Sequence, residues 1–98
     1  MNIKLFRIIT GEEVIAELVS EDDTTVTIQN GLVVIPSGQS VGFAPWAYTI
    51  NKEEPEITVS RSHIIFIAKV DEGIEAKYDQ VYGTGAKLIT PDKKKLIL

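Results

Sequence analysis

The chain has 98 residues, no cysteine, and 14 acidic against 10 basic side chains, which gives a formal net charge of −4. This length corresponds to a single domain, and the lack of cysteine excludes a disulfide framework and thiolate chemistry. The negative charge argues against generic nucleic-acid binding, because neutralisation of phosphates supplies most non-specific affinity. No apolar run is long enough for a signal peptide or a membrane span, so we expect a cytoplasmic protein without a membrane partner.

Charge is distributed unevenly along the chain. Residues 1–86 carry thirteen acidic and six basic side chains, whereas residues 87–98 carry four lysines and one aspartate. The body of the protein is therefore acidic and the last part of the sequence is basic. A local basic patch is compatible with this distribution in spite of the net charge.

The first third of the sequence alternates apolar and polar side chains, which is the pattern of strands with one face in a core. We predict a meander of three antiparallel strands at Asn2–Thr10, Glu13–Ser20 and Thr24–Ile35. Gly11 and the acidic run Glu21–Asp23 supply the turns, because glycine accepts a positive φ and aspartate bonds its own backbone. Both faces of the first strand are partly apolar, which predicts burial on both sides or an oligomer interface.

The dipeptide Asn30-Gly31, near the middle of the third predicted strand, has two interpretations. An interior glycine often marks a bulge or a sharp bend in a strand. The same pair also fits a type I′ hairpin turn, which would divide the segment into two very short strands. We favour the bend.

Three further strand candidates follow before residue 71. Val41–Ile50 is apolar and aromatic, but Pro45 lacks a ladder donor, which predicts an edge strand or an interruption there. Glu56–Ser60 is a short β-type segment, and His63–Val70 is an almost continuous apolar run, which predicts a buried strand. The predicted connections between these strands are Pro36–Ser40, Asn51–Pro55 and the tight turn at Arg61-Ser62.

The segment Asp71–Tyr82 changes to helical spacing. Ile74, Tyr78 and Val81 recur at helical intervals, and the acidic residues at its start favour a helix amino terminus. The basic segment Lys87–Leu98 is predicted to be either a tail or a last strand that folds back. We therefore expect one domain over residues 1–98, with a β part at about 2–70 and a C-terminal extension at 71–98.

Few side chains in the sequence are suited to catalysis. His63 is the only histidine, and it follows a turn, where a histidine bonded to backbone is more common than a ligand contact. Paired histidines or cysteines at metal-ligand spacing are absent from the sequence, and Glu21–Asp23 lacks the glycine of a calcium loop. Gly83–Lys87 lacks the spacing of a phosphate-binding loop. We therefore expect no enzyme, no metal and no cofactor.

Two stretches of the sequence resemble the paired motifs of the Sm-like (LSm) family. Residues 6–35 follow its first motif: an apolar strand, a glycine turn, an alternating strand, an acidic turn and a long bent strand. Residues 57–67 follow its second motif, with Arg61 in the basic position of the turn. Pro45-Trp46 and an acidic helix after the strands, not before them, look most like the small Sm-like proteins of marine cyanophages.

The resemblance implies an all-β fold: a small, strongly bent, five-stranded antiparallel barrel with a short C-terminal helical segment or tail. Members of the family close into rings of about five to seven subunits, because the edge strand of one copy pairs with the next. This agrees with the apolar character of His63–Ala68, since an apolar edge of that kind is an aggregation hazard in a monomer.

The resemblance also implies binding of single-stranded RNA at two loops. Carried over to this chain, the RNA-binding residues are Asp23, Thr24, Thr25, Arg61, Ser62 and His63. The chain departs from the family in three ways. Two threonines replace the usual aromatic (or histidine) and asparagine of the first loop, a serine replaces the glycine after Arg61, and no helix precedes the first strand. The acidic body of the chain and the missing asparagine of the first loop favour an alternative: a phage-type interaction or assembly module that forms a ring without binding nucleic acid, in the host cytoplasm if the chain is of phage origin.

Overall fold

The computed structural model describes residues 2–82, which form six strands, one 3₁₀ turn at Arg61–His63 and one helix. The predicted all-β fold with a short C-terminal helix is confirmed, whereas the predictions for Gly83–Lys87 and Lys87–Leu98 lie outside the described residues. The elements in chain order are β1 Ile3–Ile8, β2 Glu13–Glu21, β3 Thr25–Ser37, β4 Ser40–Pro45, β5 Ile57–Ser60, β6 Ile64–Lys69 and α1 Glu72–Tyr82.

All six strands belong to one antiparallel sheet with the order β4-β3-β2-β1-β6, and β5 also pairs with β3. β4 pairs with the second half of β3, Leu32–Ser37, and β5 pairs with its first half, Thr25–Ile28. β4 and β5 therefore both lie on the same side of β3, one along each half of it. For this reason the structure has six strands where five were predicted. Over residues 2–82 the sheet is strongly bent and remains open, with β6 at one edge and β4 and β5 at the other.

β3 bends at a bulge. Between the pairs Ile15–Leu32 and Glu17–Gln29, β2 contributes one residue and β3 contributes two, Asn30 and Gly31. Asn30 has a φ of 56°, a left-handed conformation that asparagine tolerates better than most residues. The strand continues through this point, so the bend is confirmed and the hairpin alternative is excluded.

The conformation of Asn30 leads to a stability prediction. Asn30→Val is expected to lower the free energy of unfolding by about 1–2 kcal/mol, because a β-branched residue pays the full steric cost of a positive φ. Asn30→Gly is the matched control, and it is expected to leave stability nearly unchanged. Urea denaturation measures both, and an equal loss in the two variants would contradict the proposed steric origin.

The sheet is buried on both faces, and β1 contributes to each. The inner face forms a core around Phe6, which is fully buried. The outer face packs against α1, whose Tyr78 is also fully buried and donates a hydrogen bond from its hydroxyl to the backbone oxygen of Asn30 at 2.7 Å. Burial raises the pKa of the Tyr78 hydroxyl, so it remains a donor throughout the physiological pH range. The prediction that β1 is buried on both sides is confirmed.

The helix begins where the acidic residues predict. The carboxylate of Asp71 accepts hydrogen bonds from the backbone N–H groups of Gly73 at 3.0 Å and Ile74 at 3.2 Å. These bonds satisfy donors that have no partner within the helix, as an N-cap does. Val81, which shares the helical spacing of Ile74 and Tyr78, is 55% exposed, whereas Tyr82 packs against the apolar cluster that contains Tyr78.

One sequence-based prediction for the last strand is wrong. The segment 63–70 is not a buried strand: Ile65 is 61% exposed and Phe66 is 42% exposed, because β6 pairs with β1 alone among the described strands.

The prediction of a loop between β3 and β4 also needs correction. The predicted loop Pro36–Ser40 is mostly strand, with only Gly38-Gln39 forming the turn between β3 and β4. Gly38 adopts a φ of 61°, which allows so tight a connection. Pro45 does end an edge strand, as predicted.

Candidate nucleic-acid interface

The turn between β2 and β3 is organised by one carboxylate. Asp22 Oδ1 accepts hydrogen bonds from the backbone N–H groups of Thr24 at 2.9 Å and Thr25 at 2.7 Å. The hydroxyls of the same threonines approach this oxygen at 3.3 and 3.1 Å. A carboxylate bound by two backbone donors makes a stable Asx-type turn. Both threonine hydroxyls therefore have a partner within the turn.

The turn has a predictable pH dependence. The backbone N–H groups of Thr24 and then Thr25 lower the pKa of the Asp22 carboxyl from its ordinary value of 3.8. Because this pKa is lower in the folded than in the unfolded state, the ionised carboxylate stabilises the fold at pH values above the unfolded-state pKa. The stabilisation is lost as the pH falls through the folded-state pKa. We expect the amide resonances of Thr24 and Thr25 to titrate with a midpoint below the ordinary value of 3.8. Asp22→Asn is the control, and a titration near pH 6 would contradict the assignment.

Arg61 joins this turn to the 3₁₀ turn that precedes β6. Its backbone N–H donates to the backbone oxygen of Thr24 at 2.9 Å, and its Nε donates to the backbone oxygen of Asp22 at 2.7 Å. Its guanidinium also forms an ion pair with the carboxylate of Glu21. The arginine is therefore already engaged by an acidic turn, through three separate contacts.

Ser62 and His63 complete the 3₁₀ turn. The hydroxyl of Ser62 lies 2.9 Å from that of Ser60. The backbone oxygen of His63 accepts a hydrogen bond from the N–H of Ile9 at 2.8 Å, which fixes the turn to the end of β1. The imidazole of His63 is on the exposed surface.

The six residues predicted to bind RNA thus lie in two turns that meet at one end of the sheet. Thr24, Thr25 and Arg61 are linked by hydrogen bonds through Asp22, while Asp23 is exposed beside them. The resulting surface offers hydroxyls, one imidazole and one guanidinium, which suit hydrogen bonding to phosphate or to base edges. It also contains three consecutive carboxylates, which oppose the approach of an anion.

Sequence reasoning missed two residues of this surface, Glu21 and Asp22. The signal for Asp22 was present, since an aspartate followed by threonines two and three positions later is the pattern of an Asx turn. The pairing of Glu21 with Arg61 had no such signal, because 40 residues separate the two side chains. Their proximity depends on the pairing of β5 with the first half of β3.

Comparison with known proteins gives no family for the chain: no protein-family model matches it, and neither does any curated protein. Within residues 2–82, no group of three or more histidine, cysteine, aspartate or glutamate side chains is placed to hold a metal ion. The single helix of the described part is too short to cross a membrane.

Proposed function

We propose that the chain is the subunit of a homo-oligomeric, Sm-like ring in which the β6 edge of one copy pairs with the β4 and β5 edge of the next. One observation carries this proposal: the described sheet is open at both edges, and the β6 edge exposes Ile65 and Phe66. A strand edge of this kind presents unpaired backbone groups together with apolar side chains, and another strand satisfies both.

The two edges suit each other in chemistry. Side chains at both edges already pack on the inner core, Ile64 and Ile67 from β6 and Ile57 and Val59 from β5. Pairing these edges between copies extends that core from one subunit into the next. The exposed area of Ile9, which is bonded to the turn before β6, adds to the apolar surface that such pairing covers.

We further infer that the assembled ring binds single-stranded RNA at the two turns that contain Thr24, Thr25, Arg61, Ser62 and His63. The convergence of these turns on one surface supports the inference, because repetition around a ring places several copies of a weak contact along one strand. Since the guanidinium of Arg61 is paired with Glu21, an RNA phosphate must replace that carboxylate to reach it.

Fluorescence anisotropy with a labelled oligo-uridine at low salt tests the RNA inference. Arg61→Ala is expected to weaken binding at least tenfold, and Glu21→Gln is expected to strengthen it, because it removes the competing carboxylate. Asp79→Asn is the control for a change of net charge away from the site, since Asp79 lies on the exposed side of α1. If Glu21→Gln and Asp79→Asn change the RNA affinity equally, the net charge of the chain controls that affinity, and the proposed competition between Glu21 and the phosphate is contradicted.

A second candidate function is a ring that serves as an assembly module without RNA. The ion pair between Arg61 and Glu21, in a surface with three carboxylates, favours this candidate. The same titration distinguishes the two functions. Absence of binding at low salt, or equal binding by the parent chain and Arg61→Ala, supports the assembly module and rejects the RNA role.

A further inference from the structure

A groove lies between the β4–β5 connection and the end of α1. It has a volume of about 240 Å³, and Pro45, Tyr48, Ile50, Pro55 and Tyr82 provide its apolar and aromatic lining. Tyr48 is 82% exposed, the largest exposure among the bulky apolar side chains of the described residues. An aromatic side chain held so far out of the core indicates a contact surface for a ligand or partner.

The groove is preformed, because backbone and side-chain hydrogen bonds fix the connection that builds it. Trp46 anchors its start: its backbone N–H donates to the oxygen of Gly31 at 2.9 Å, and its indole N–H donates to the carboxylate of Glu12 at 3.2 Å. Asn51 organises its far side by accepting hydrogen bonds from the N–H groups of Glu53 and Glu54. A ligand therefore binds without having to order the groove.

The rim of the groove is acidic. Glu53, Glu54 and Glu56 line an adjoining depression that shares Pro55 with the groove. Among residues 2–82, Lys52 is the one basic residue in the lining of either. This charge disfavours a phosphate-bearing ligand and favours a partner that combines apolar side chains with positive charge.

The chain itself contains a segment of that chemistry. We propose that the groove receives the basic segment Lys87–Leu98 of the same chain, with Leu88 and Ile89 against the tyrosines and the lysines at positions 93–95 against the acidic rim. The segment begins five residues after Tyr82, which lines the groove. Leu88 and Ile89 follow Tyr82 by six and seven residues, which span at most about 25 Å, so the apolar pair is held within reach of the groove. The docking requires neither RNA nor a second copy of the chain, although Pro45 of β4 and Ile57 of β5 contribute to the groove.

Disulfide trapping in the full chain tests this proposal, since the chain has no native cysteine to interfere. The test variant carries Lys52→Cys and Thr90→Cys, which leave Leu88 and Ile89 intact. The control carries Gln39→Cys and Thr90→Cys, since Gln39 lies in the exposed turn between β3 and β4. We expect the test pair to form an intramolecular disulfide at least tenfold faster than the control pair, at a rate that does not change on dilution.

Adding Glu53→Lys, Glu54→Lys and Glu56→Lys to the test pair is expected to slow disulfide formation at least threefold, because the rim then repels the lysines. Equal rates for test and control pairs overturn the proposal. Predominantly intermolecular disulfides whose rate falls on dilution also overturn it, and indicate that the groove receives the segment of a second copy. Carbodiimide cross-linking of the unmodified chain repeats the test without any variant: intramolecular links from lysines 93–95 to the acidic rim support docking, and their absence contradicts it.

Discussion

Ile65→Lys is expected to convert the assembled protein into single subunits without unfolding them. Ile65 is 61% exposed in the lone subunit, so the substitution is expected to change the free energy of unfolding of the subunit by no more than about 0.5 kcal/mol. In the proposed ring, however, the same substitution places a charge in an apolar strand-to-strand contact. Lysine at such positions is a common means by which sheet edges avoid association. Light scattering measures the mass, and circular dichroism measures whether the fold is retained.

Val19→Lys is the matched control for this substitution. Val19 is 40% exposed and lies on a strand with neighbours on both sides, β1 and β3. The same apolar-to-basic change at that position is expected to leave the mass unaltered. If both lysine variants dissociate, then net charge and not the β6 edge controls assembly; if neither does, the β6 edge is not the interface.

Phe6→Ala is expected to cause the largest loss of subunit stability, about 3–5 kcal/mol. The phenyl ring is fully buried in the inner core, where residues from β2 and β3 surround it. Removing it takes away the transfer free energy of the ring and leaves a cavity that a closely packed interior fills only in part. Since small domains are stable by only about 5–15 kcal/mol, the variant is expected to be close to unfolding at room temperature.

Phe6→Leu provides the control for Phe6→Ala, because it keeps an apolar side chain that fills much of the same volume. We expect it to recover at least half of the lost stability. Urea denaturation, with ligand-free protein at several concentrations, separates subunit stability from assembly. A loss below 1 kcal/mol for Phe6→Ala would show that the inner core does not hold the fold together as described.

Much of the fold could be predicted because its signals are local. Alternation of apolar side chains predicts β2 and β3, and a glycine after an asparagine predicts the bend at Asn30. Helical spacing of Ile74 and Tyr78, with Asp71 before them, predicts α1. Each of these features depends on residues within a few positions of one another, and each is present in the structure.

The exposure of β6 could not be predicted in the same way. A continuous apolar run such as residues 64–68 indicates burial in general, but it does not say whether protein from the same subunit or from another copy covers it. The position of a strand in its sheet depends on pairing between distant segments, here β6 with β1. The prediction of a buried strand is therefore wrong within one subunit. The exposed apolar side chains that contradict it, Ile65 and Phe66, are the observation on which the ring proposal is based.

The candidate site also has one feature that the sequence predicts and one that it does not. The two turns that carry Thr24 and Arg61 were both assigned to RNA binding from a resemblance in the order of strands, and the structure brings them within hydrogen-bond distance. The electrostatic state of Arg61 was not predictable, since its partner Glu21 comes from the other turn. The proposed RNA affinity of this site depends on that charge pairing between distant segments.

The mass of the assembled protein tests the central claim most directly. Light scattering behind size-exclusion chromatography, at low salt and at several protein concentrations, is expected to give a mass several-fold above the 10.8 kDa of one chain. We expect that mass to stay the same on dilution, because a closed ring pairs every edge and adds no further copies. A mass of one chain at all concentrations would contradict the claim that other copies complete the open edges, and a mass that rises continuously with concentration would contradict closure.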